Sequence, residues 1–290
     1  MRLRLYVLVL ALCFLLIPKE AFANGLPNYP MLEKPGGLIV ALPNVPITVD
    51  KEVLTVDLTQ NPISVNAKYT LTNPLAEIAT VQVLFPIGKN EEAKVVFDGS
   101  AIRTELTDDW SVMAFQDLTL ADYWIDPYTN ERYTPTSSSA HRDFDFDRFT
   151  ITLNPSESKV LSVSYKQSRS YDATRFFREP VYRFDYLLLP AKHWASYKNL
   201  EVNLLSSDKI TFVSNILFTE TTENSYVFRS DNLPTENLSL FFAPQKGVLN
   251  GQITSFYKRY FLYVVLVSII LVFLLIGISR KLYITKHKVL

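Results

Sequence analysis

Hydrophobic and polar residues alternate along several short stretches of the chain. In the stretch "ISVNAKYTLTN", which begins at Ile63, apolar residues and tyrosine occupy every second position from Val65 to Leu71, and polar residues lie between them. A period of two is that of a β-strand with one buried and one solvated face. Similar strands are predicted for "LIVAL" from Leu38, "EVLTVDL" from Glu52 and "IATVQVLFP" from Ile78.

Two turn signals predict β-hairpins. Asp98 and Gly99 separate the apolar runs of "KVVFDGSAIRTEL", and both residue types tolerate the positive φ that a tight hairpin turn needs. In "HRDFDFDRFTITLNPSESKVLSVSY", from His141, we expect the phenylalanines to face inward, the aspartates to face outward and "NPSES" to form the turn. The apolar positions change from even to odd numbers near Arg148 and Phe149, which favours a β-bulge there.

A second series of strands follows residue 180, in the stretches "VYRFDYLLLP", "LEVNLL", "KITFVSNILF", "SYVFRS" and "NLSLFFAP". Short strands separated by turns, without a long amphipathic helix, are typical of a β-sandwich. The sequence therefore predicts a mainly β protein with one or two Ig-like β-sandwich units. The later strands either form a second unit or complete the first, and an irregular excursion over residues 107–140 interrupts the first series.

The two ends of the chain carry patterns of membrane targeting. Arg2 and Arg4 precede an apolar run, and "AFA" at 21–23 supplies a cleavage pattern, which together predict a secretory signal peptide. Residues 260–279 are twenty residues without a charge, fifteen of which are Leu, Ile, Val or Phe, and a basic tail follows them. At ~1.5 Å rise per residue this segment spans the ~30 Å hydrocarbon layer of a bilayer. The pattern predicts a single-pass membrane protein with its N-terminal region outside the cell and its tail in the cytoplasm.

These patterns divide the chain into regions with different expected structures. The expected regions are a signal peptide at 1–23, an extended lead-in at 24–37, a β-sandwich at 38–168 with an irregular insertion at 107–140, a linker or crossing at 169–179, a second β unit or completion of the first at 180–245, a juxtamembrane stem at 246–259, a transmembrane helix at 260–279 and a basic tail at 280–290.

Charge and cysteine usage narrow the possible partners. The formal net charge is zero, but the signal peptide carries +2 and residues 258–290 carry +6, so −8 remains for residues 24–257. Nucleic-acid binding depends on neutralising phosphates, so an acidic exported region is poorly suited to it. Cys13 lies in the predicted signal peptide and is the only cysteine, so the mature chain is expected to have neither disulfides nor thiolate metal sites.

The aspartates at 143, 145 and 147 imitate the start of a calcium-binding loop. Such a loop continues with a glycine and ends in a bidentate glutamate, whereas this chain has Arg148 and Asn154 at those positions. The pattern favours one solvated face of a strand over a metal site. His141 and His193 have no second ligand at the spacing of a zinc site, so we expect no metal and no cofactor.

No motif for catalysis is present in the sequence. The chain lacks a G-x-S-x-G elbow, a redox cysteine pair and a phosphate loop. Neighbouring carboxylates such as Asp108 and Asp109 point apart on an extended chain and cannot converge on one bond. We therefore predict a protein that is not an enzyme, with an extracellular carboxylate-dependent hydrolase as the alternative.

The irregular excursion contains six aromatic residues. Trp and Tyr supply large rigid surfaces with a polar tip, which suits stacking on sugar rings or contact with a protein. Packing of the excursion onto the sandwich is the favoured role of these rings, since a long loop without disulfides must bury something. Phe115 is expected to be structural, whereas Trp124 and Tyr128 flank the turn at Asp126-Pro127 and are expected to be partly exposed. The candidate ligand-binding residues are Trp110, Tyr123, Trp124, Tyr128 and Tyr133.

Four stretches resemble uncharacterised secreted bacterial proteins that contain a membrane-anchored β-sandwich domain of unknown function. They are "ITVDKEVLTVDLTQNPISVNAKYTLTNPLAEIATVQVLFPIG", "VVFDG", "FTITLNPSESKVLSVSY" and "YLLLPAKHWASYKNLEVNL". The resemblance implies a fold and a location, and it brings no catalytic residues. The sequence as a whole predicts a cell-surface protein whose β-sandwich binds another envelope protein or a glycan. A scaffold subunit of a membrane complex is a further alternative.

Overall fold

The computed structural model describes residues 36–37, 39–40, 45–87, 93–107, 120–135, 145–172 and 180–245, together with the single residues Ile270 and Gly277. The chain divides into two compact units, residues 1–243 and residues 244–290. In the second unit, Ile270 and Gly277 are helical. No helix within the described residues has the length and apolar character needed to cross a membrane. The predicted signal peptide, and the predicted spanning helix apart from those two residues, lie outside the described ranges.

The described part of the chain is mainly β, as the sequence predicts. One 3₁₀ helix, Leu189–His193, accompanies the strands. The strands are β1 (Gly36–Gly37), β2 (Ile39–Val40), β3 (Val45–Asp57), β4 (Ile63–Thr72), β5 (Ala79–Ile87), β6 (Lys94–Phe97), β7 (Ser100–Ala101), β8 (Glu105–Thr107), β9 (Trp124–Ile125), β10 (Arg132–Tyr133), β11 (Asp145–Leu153), β12 (Ser158–Gln167), β13 (Ser170–Asp172), β14 (Val181–Leu187), β15 (Trp194–Tyr197), β16 (Leu200–Leu205), β17 (Ile210–Ser214), β18 (Thr219–Thr222), β19 (Ser225–Ser230) and β20 (Leu238–Pro244).

The strands form three larger sheets and one hairpin. The nine-stranded sheet has the order β18-β19-β16-β3-β4-β12-β6-β7, with β15 also on β3. The four-stranded sheet has the order β2-β5-β11-β8, and β9 pairs with β10. The five-stranded sheet has the order β1-β14-β20-β17, with β13 also on β14. Because β15 and β16 pair in parallel with β3, strands that follow residue 180 share a sheet with strands that precede it.

One hydrophobic core is shared by the three larger sheets. Along β4 every second residue is buried, which is the alternation read from the sequence. Leu54 of the nine-stranded sheet, Ile151 of the four-stranded sheet and Phe184 of the five-stranded sheet all belong to this core. The Asp98-Gly99 hairpin is confirmed, because β6 pairs with β7 and both turn residues have positive φ, 50° and 81°.

The predicted hairpin between β11 and β12 is wrong. β11 pairs with β5 and β8, whereas β12 pairs with β4 and β6, so the "NPSES" turn carries the chain from one sheet to another. The chain makes a second crossing between β4 and β5. Asn73 is buried and joins the two crossings, because its Nδ2 lies 2.7 Å from the carbonyl oxygen of Glu77 and 3.2 and 3.0 Å from those of Leu153 and Asn154. A turn signal shows where a strand ends and leaves open which sheet the next strand joins.

The predicted bulge in β11 and the solvated position of Asp147 are also wrong. The register against β5 is unbroken from Asp145 to Leu153. Phe146 and Asp147 are both buried although they point to opposite faces, so this end of the sheet is covered on both sides. The backbone N–H of Ala93 donates to the Asp147 carboxylate at 3.3 Å. The apolar positions change phase because both faces are buried here.

The other two aspartates of the calcium-like pattern give little structural information. Asp143 and the side chain of Asp145 lie outside the described residues. Within the described ranges, no group of three or more His, Cys, Asp or Glu side chains is arranged to hold a metal ion.

Candidate functional site

The predicted aromatic site is a small hairpin packed onto the five-stranded sheet. Trp110 and Phe115 lie outside the described residues, whereas the other candidates lie on or beside β9 and β10. Trp124 pairs with Tyr133 across this hairpin. Its indole ring lies 6.1 Å from the ring of Phe241 on β20, and Tyr123 stacks on the same ring at 6.2 Å. The hairpin therefore brings Tyr123 and Trp124 onto one phenylalanine, and Tyr133 packs against the cluster that contains it.

The expected exposure of Trp124 is wrong. Trp124 is 2% exposed and forms a small core with Ile125, Val181 and Phe241. The guanidinium group of Arg183 lies 5.7 Å from the Trp124 ring, so a cation contacts the same aromatic surface. A ring enclosed in this way cannot stack on a ligand from outside. The Trp124 ring packs the excursion onto the sheet, which is the alternative to ligand binding that the sequence left open.

A buried ion pair anchors this hairpin. Arg183 and Asp185 lie on β14, and Nε of Arg183 donates to both carboxylate oxygens of Asp185 at 2.8 and 2.9 Å. The hydroxyl of Ser239 donates to the same carboxylate at 2.7 Å, and Nη1 of Arg183 donates to the backbone carbonyl of Tyr123 at 3.2 Å. Loss of one partner would leave an uncompensated buried charge, so the geometry fixes the hairpin on the sheet.

Part of the predicted ligand-binding surface is partly exposed on the outer side of the β9–β10 hairpin. Tyr123, Tyr128 and Tyr133 are half-buried, which agrees with the partial exposure expected for Tyr128. The guanidinium group of Arg132 lies 4.3 Å from the Tyr123 ring centre. The carboxylate of Asp126 accepts the backbone N–H of Tyr128 at 2.9 Å and fixes the turn. Ligand binding by the tyrosines stays a prediction.

A buried carboxylate that the sequence analysis missed lies in the main core. Glu52 is 2% exposed, and its two carboxylate oxygens accept hydrogen bonds from the hydroxyls of Tyr186, at 3.0 Å, and Tyr197, at 2.6 Å. The hydroxyl of Tyr69 is hydrogen-bonded to that of Tyr186. The register shift between Val49 and Lys51 in β3 moves the buried positions from odd to even numbers, which turns Glu52 inward.

Burial changes the acid–base chemistry of this cluster. Removal from water raises the pKa of Glu52 from 4.5 to about 7, although hydrogen bonds from the three tyrosines lower it in part. Burial and the neighbouring Glu52 raise the pKa of Tyr69 and Tyr186 well above their usual value. General acid–base catalysis needs a substrate within hydrogen-bond reach of the titrating group. The enclosed cluster gives a substrate no such access, and we treat it as part of the core.

A different group of side chains forms a surface that is partly open to solvent. The chain crosses from β17, at the end of the five-stranded sheet, to β18, at the end of the nine-stranded sheet. Leu217 lies in this crossing with 90% of its surface exposed. Half-buried hydrophobic residues on and beside these strands pack against the main core. We call Leu217 and these residues the edge patch, and its half-buried members are Ile210, Phe212, Ile216, Phe218, Tyr226, Phe228 and Leu233.

The rings of the edge patch contact one another in an ordered way. Phe212 and Tyr226 meet edge to face at 4.8 Å, and Phe212 and Phe218 do so at 6.4 Å. Phe218 also lies 6.3 Å from Phe228. The sequence predicts strands here, but none of these residues is among the candidate ligand-binding residues. A usable signal was present, because Phe212, Phe218, Tyr226 and Phe228 fall within two neighbouring predicted strands.

Exposed acidic residues surround the edge patch in the sequence. The segment has two basic residues, of which Arg229 is paired with Glu201 at 3.1 Å and Lys209 is exposed beside Asp208. The carboxylates that are exposed between β16 and β20 belong to Asp208, Glu220, Glu223, Asp231 and Glu236. The residues around the edge patch thus carry a net negative charge.

No protein-family model and no curated protein matches this sequence. The resemblance to membrane-anchored secreted bacterial proteins therefore stays a prediction. So does the expectation that the chain is not an enzyme.

Several solved structures match this chain at low sequence identity. A structure described as a nutrient binding protein of Legionella pneumophila has a TM-score of 0.50 and 11% identity, over 74% of this chain and 72% of that one. An M1 zinc metallopeptidase of Deinococcus radiodurans has a TM-score of 0.35 and 11% identity, over 70% and 43%. Native yeast LTA4 hydrolase has a TM-score of 0.36 and 9% identity, over 68% and 29%. This chain spans less than half of the last two proteins, and the Legionella match shows a shared fold.

Proposed function

We propose that this chain is a non-enzymatic, single-pass cell-surface protein whose exported β-sandwich binds another protein of the cell envelope. The proposed location follows from the signal peptide and the apolar segment at 260–279 read in the sequence. The proposed contact surface is the edge patch, in which Leu217 is 90% exposed and directly precedes Phe218, one of its half-buried aromatic residues. This observation carries the proposal.

A single exposed leucine is ordinary on a protein surface, so Leu217 alone would carry little weight. The aromatic residues that follow Leu217 in the chain and contact one another give it more weight. Phe218 follows it directly and contacts Phe212 and Phe228, so the exposed leucine is next in the chain to a group of half-buried aromatic rings. Apolar patches with aromatic residues and a polar rim are typical of protein–protein contacts. A protein partner is therefore favoured over a glycan at this surface.

A glycan remains the second candidate, and a different surface supports it. Tyr123 and Tyr128 on the β9–β10 hairpin are half-buried, and Arg132 lies beside Tyr123 at 4.3 Å. Tyrosine faces and a guanidinium group suit stacking and hydrogen bonding to sugars. The buried Trp124 contributes no surface there, which leaves a smaller site than the sequence predicts.

The proposed function is tested by photo-cross-linking in intact cells. A photoreactive phenylalanine analogue replaces Leu217 in the full chain, and in a matched control it replaces Ile78, another aliphatic residue with 61% of its surface exposed. We expect one discrete adduct with another envelope protein from position 217 and none from position 78. The same adducts from both positions, or none from either, would contradict binding through the edge patch.

A further inference from the structure

The strand β17 has an open edge in the described part of the structure. It is the last strand of the five-stranded sheet, and no described strand pairs with the side that faces away from β20. The backbone N–H of Asn215, the residue that follows β17, donates to the carbonyl oxygen of Ser239 on β20 at 3.2 Å. Alternate residues of an extended chain direct their backbone groups to opposite sides, and this alternation predicts that those of Phe212 and Ser214 face away from β20. They are placed to pair with a further strand.

The composition of β17 lacks the usual protection of an edge strand. Its sequence, ITFVS, contains no charge and no proline. Edge strands that avoid pairing with other chains are short, charged or interrupted by bulges. β18, at the edge of the nine-stranded sheet, carries Glu220 and has a register irregularity against β19. The edge at β18 is thus protected against pairing, whereas the edge at β17 is suited to it.

Both faces of β17 are already occupied by the protein itself. Phe212 packs on Tyr226 and the main core, and Val213 packs against the cluster that contains Trp124 and Phe241. A partner can therefore reach β17 along its edge, whereas both of its faces are covered. The edge patch includes Ile210 and Phe212 of β17 itself, so it adjoins this edge.

We propose that the partner binds by adding an extended segment to the free edge of β17. This inference rests on the proposed function and specifies how the edge patch is used. Backbone hydrogen bonds to Phe212 and Ser214 would supply affinity, and alternate apolar side chains of the added segment would cover the patch. The five uncharged residues of β17 favour an apolar centre in that segment.

The end of β17 near Ser214 indicates the charge of the partner segment. Asp208 and Lys209 are both exposed just before the strand begins, so that end carries one charge of each sign. At the other end, Glu236 is exposed and accepts a hydrogen bond from Nδ2 of Asn215 at 3.2 Å. A carboxylate at this end favours a segment that carries Lys or Arg where it passes Ser214. The net negative charge of residues 24–257 disfavours a second copy of this chain as the partner.

The first test combines the cross-linker at position 217 with two matched substitutions in the full chain. Thr211→Lys places a charge on β17, and Thr219→Lys places the same charge on β18. We expect the adduct to fall at least tenfold with Thr211→Lys and to change less than twofold with Thr219→Lys. The cross-linked partner peptide is then sequenced, and it should alternate apolar residues and carry a basic residue near one end.

The second measurement uses no substitution and so does not depend on a variant that folds. The sequenced partner segment is synthesised and added to the wild-type full chain in detergent, and amide hydrogen exchange is followed. Strand addition predicts at least tenfold slower exchange at the amides of Phe212 and Ser214, with no change on β18.

The outcomes separate the two proposals. A heteromeric adduct that survives Thr211→Lys, with unchanged exchange on β17, would overturn strand addition and leave binding by the edge patch standing. A cross-link between two copies of this chain would show that the patch mediates a homodimer, and it would overturn the inference. No adduct at all would overturn both proposals.

Discussion

The hydroxyl group of Tyr197 donates a 2.6 Å hydrogen bond to Oε2 of Glu52 inside the core. The two residues are 145 positions apart in sequence, and their strands, β15 and β3, lie side by side in parallel. Tyr186 holds the other carboxylate oxygen from the five-stranded sheet. One buried carboxyl group therefore links two sheets, and its protonation state bears on stability.

The first prediction concerns this carboxyl group and pH. The folded pKa of Glu52 is raised to about 7 from 4.5, so the folded state binds its proton more tightly than the unfolded state does. The stabilisation is full below pH ~4.5, falls as pH rises and is lost above pH ~7. From the size of this shift, the change in unfolding free energy is about 3 kcal/mol.

Urea unfolding of the full chain in detergent at several pH values measures this effect. Glu52→Gln removes the titration, so we expect the variant to lose less stability than the wild type between pH 5 and pH 8. Glu105→Gln, at an exposed ion pair with Arg148, serves as the control and should parallel the wild type. Identical pH profiles for wild type and Glu52→Gln would contradict a buried titrating Glu52.

The second prediction concerns the aromatic hairpin. Trp124 is enclosed by Phe241 and Arg183, so Trp124→Ala should cost about 3–5 kcal/mol of unfolding free energy. Tyr128 is half-buried beside the turn, and Tyr128→Ala should cost about 1 kcal/mol or less. Denaturant unfolding of both variants makes the comparison. Equal costs would mean that Tyr128 is as much a part of the packing as Trp124.

The third prediction concerns the crossings between the sheets. Asn73→Ala leaves the carbonyl groups of Leu153 and Asn154 without their side-chain donor, and we expect a loss of about 2–3 kcal/mol. Asn66→Ala is the matched control, because Asn66 makes an exposed hydrogen bond to Ser164 and should cost under about 1 kcal/mol. Thermal unfolding of both variants is the measurement. A small effect of Asn73→Ala would show that backbone hydrogen bonds alone hold the crossings.

The fourth prediction concerns topology. Residues 24–257 are expected outside the cell and residues 280–290 inside, because the signal peptide directs export and a basic tail stays in the cytoplasm. Protease added to intact cells after removal of the cell wall should destroy an epitope in the exported region and spare one placed after Leu290. The reverse pattern would contradict the proposed location.

The alternation of hydrophobic residues was sufficient to predict a mainly β fold and the positions of most strands. It did not predict how strands are distributed among sheets, since "NPSES" looks the same whether it closes a hairpin or crosses between layers. Asp147 and Trp124 were placed at the surface because polar residues and turns are usually solvated. Burial of both depends on contacts with distant residues, namely Ala93 for Asp147 and Phe241 for Trp124.

Two features of the molecule, the burial of Glu52 and the open edge of β17, depend on the three-dimensional arrangement. The register shift in β3 turns Glu52 into the core. A signal was present in the sequence, because Glu52 continues the alternation of the buried residues Leu54, Val56 and Leu58. The open edge of β17 depends on its position at the end of a sheet, which no local pattern encodes. Contacts between residues far apart in the chain decide both features.

The central claim is that the edge patch binds another envelope protein, and its most direct test is the affinity of the cross-linked partner for the full chain. Leu217→Asp places a charge in the exposed centre of the patch, and Ile78→Asp makes the same change at the control position. Titration calorimetry in detergent should show at least tenfold weaker binding for Leu217→Asp and wild-type affinity for Ile78→Asp. Equal affinity for both variants would contradict the claim.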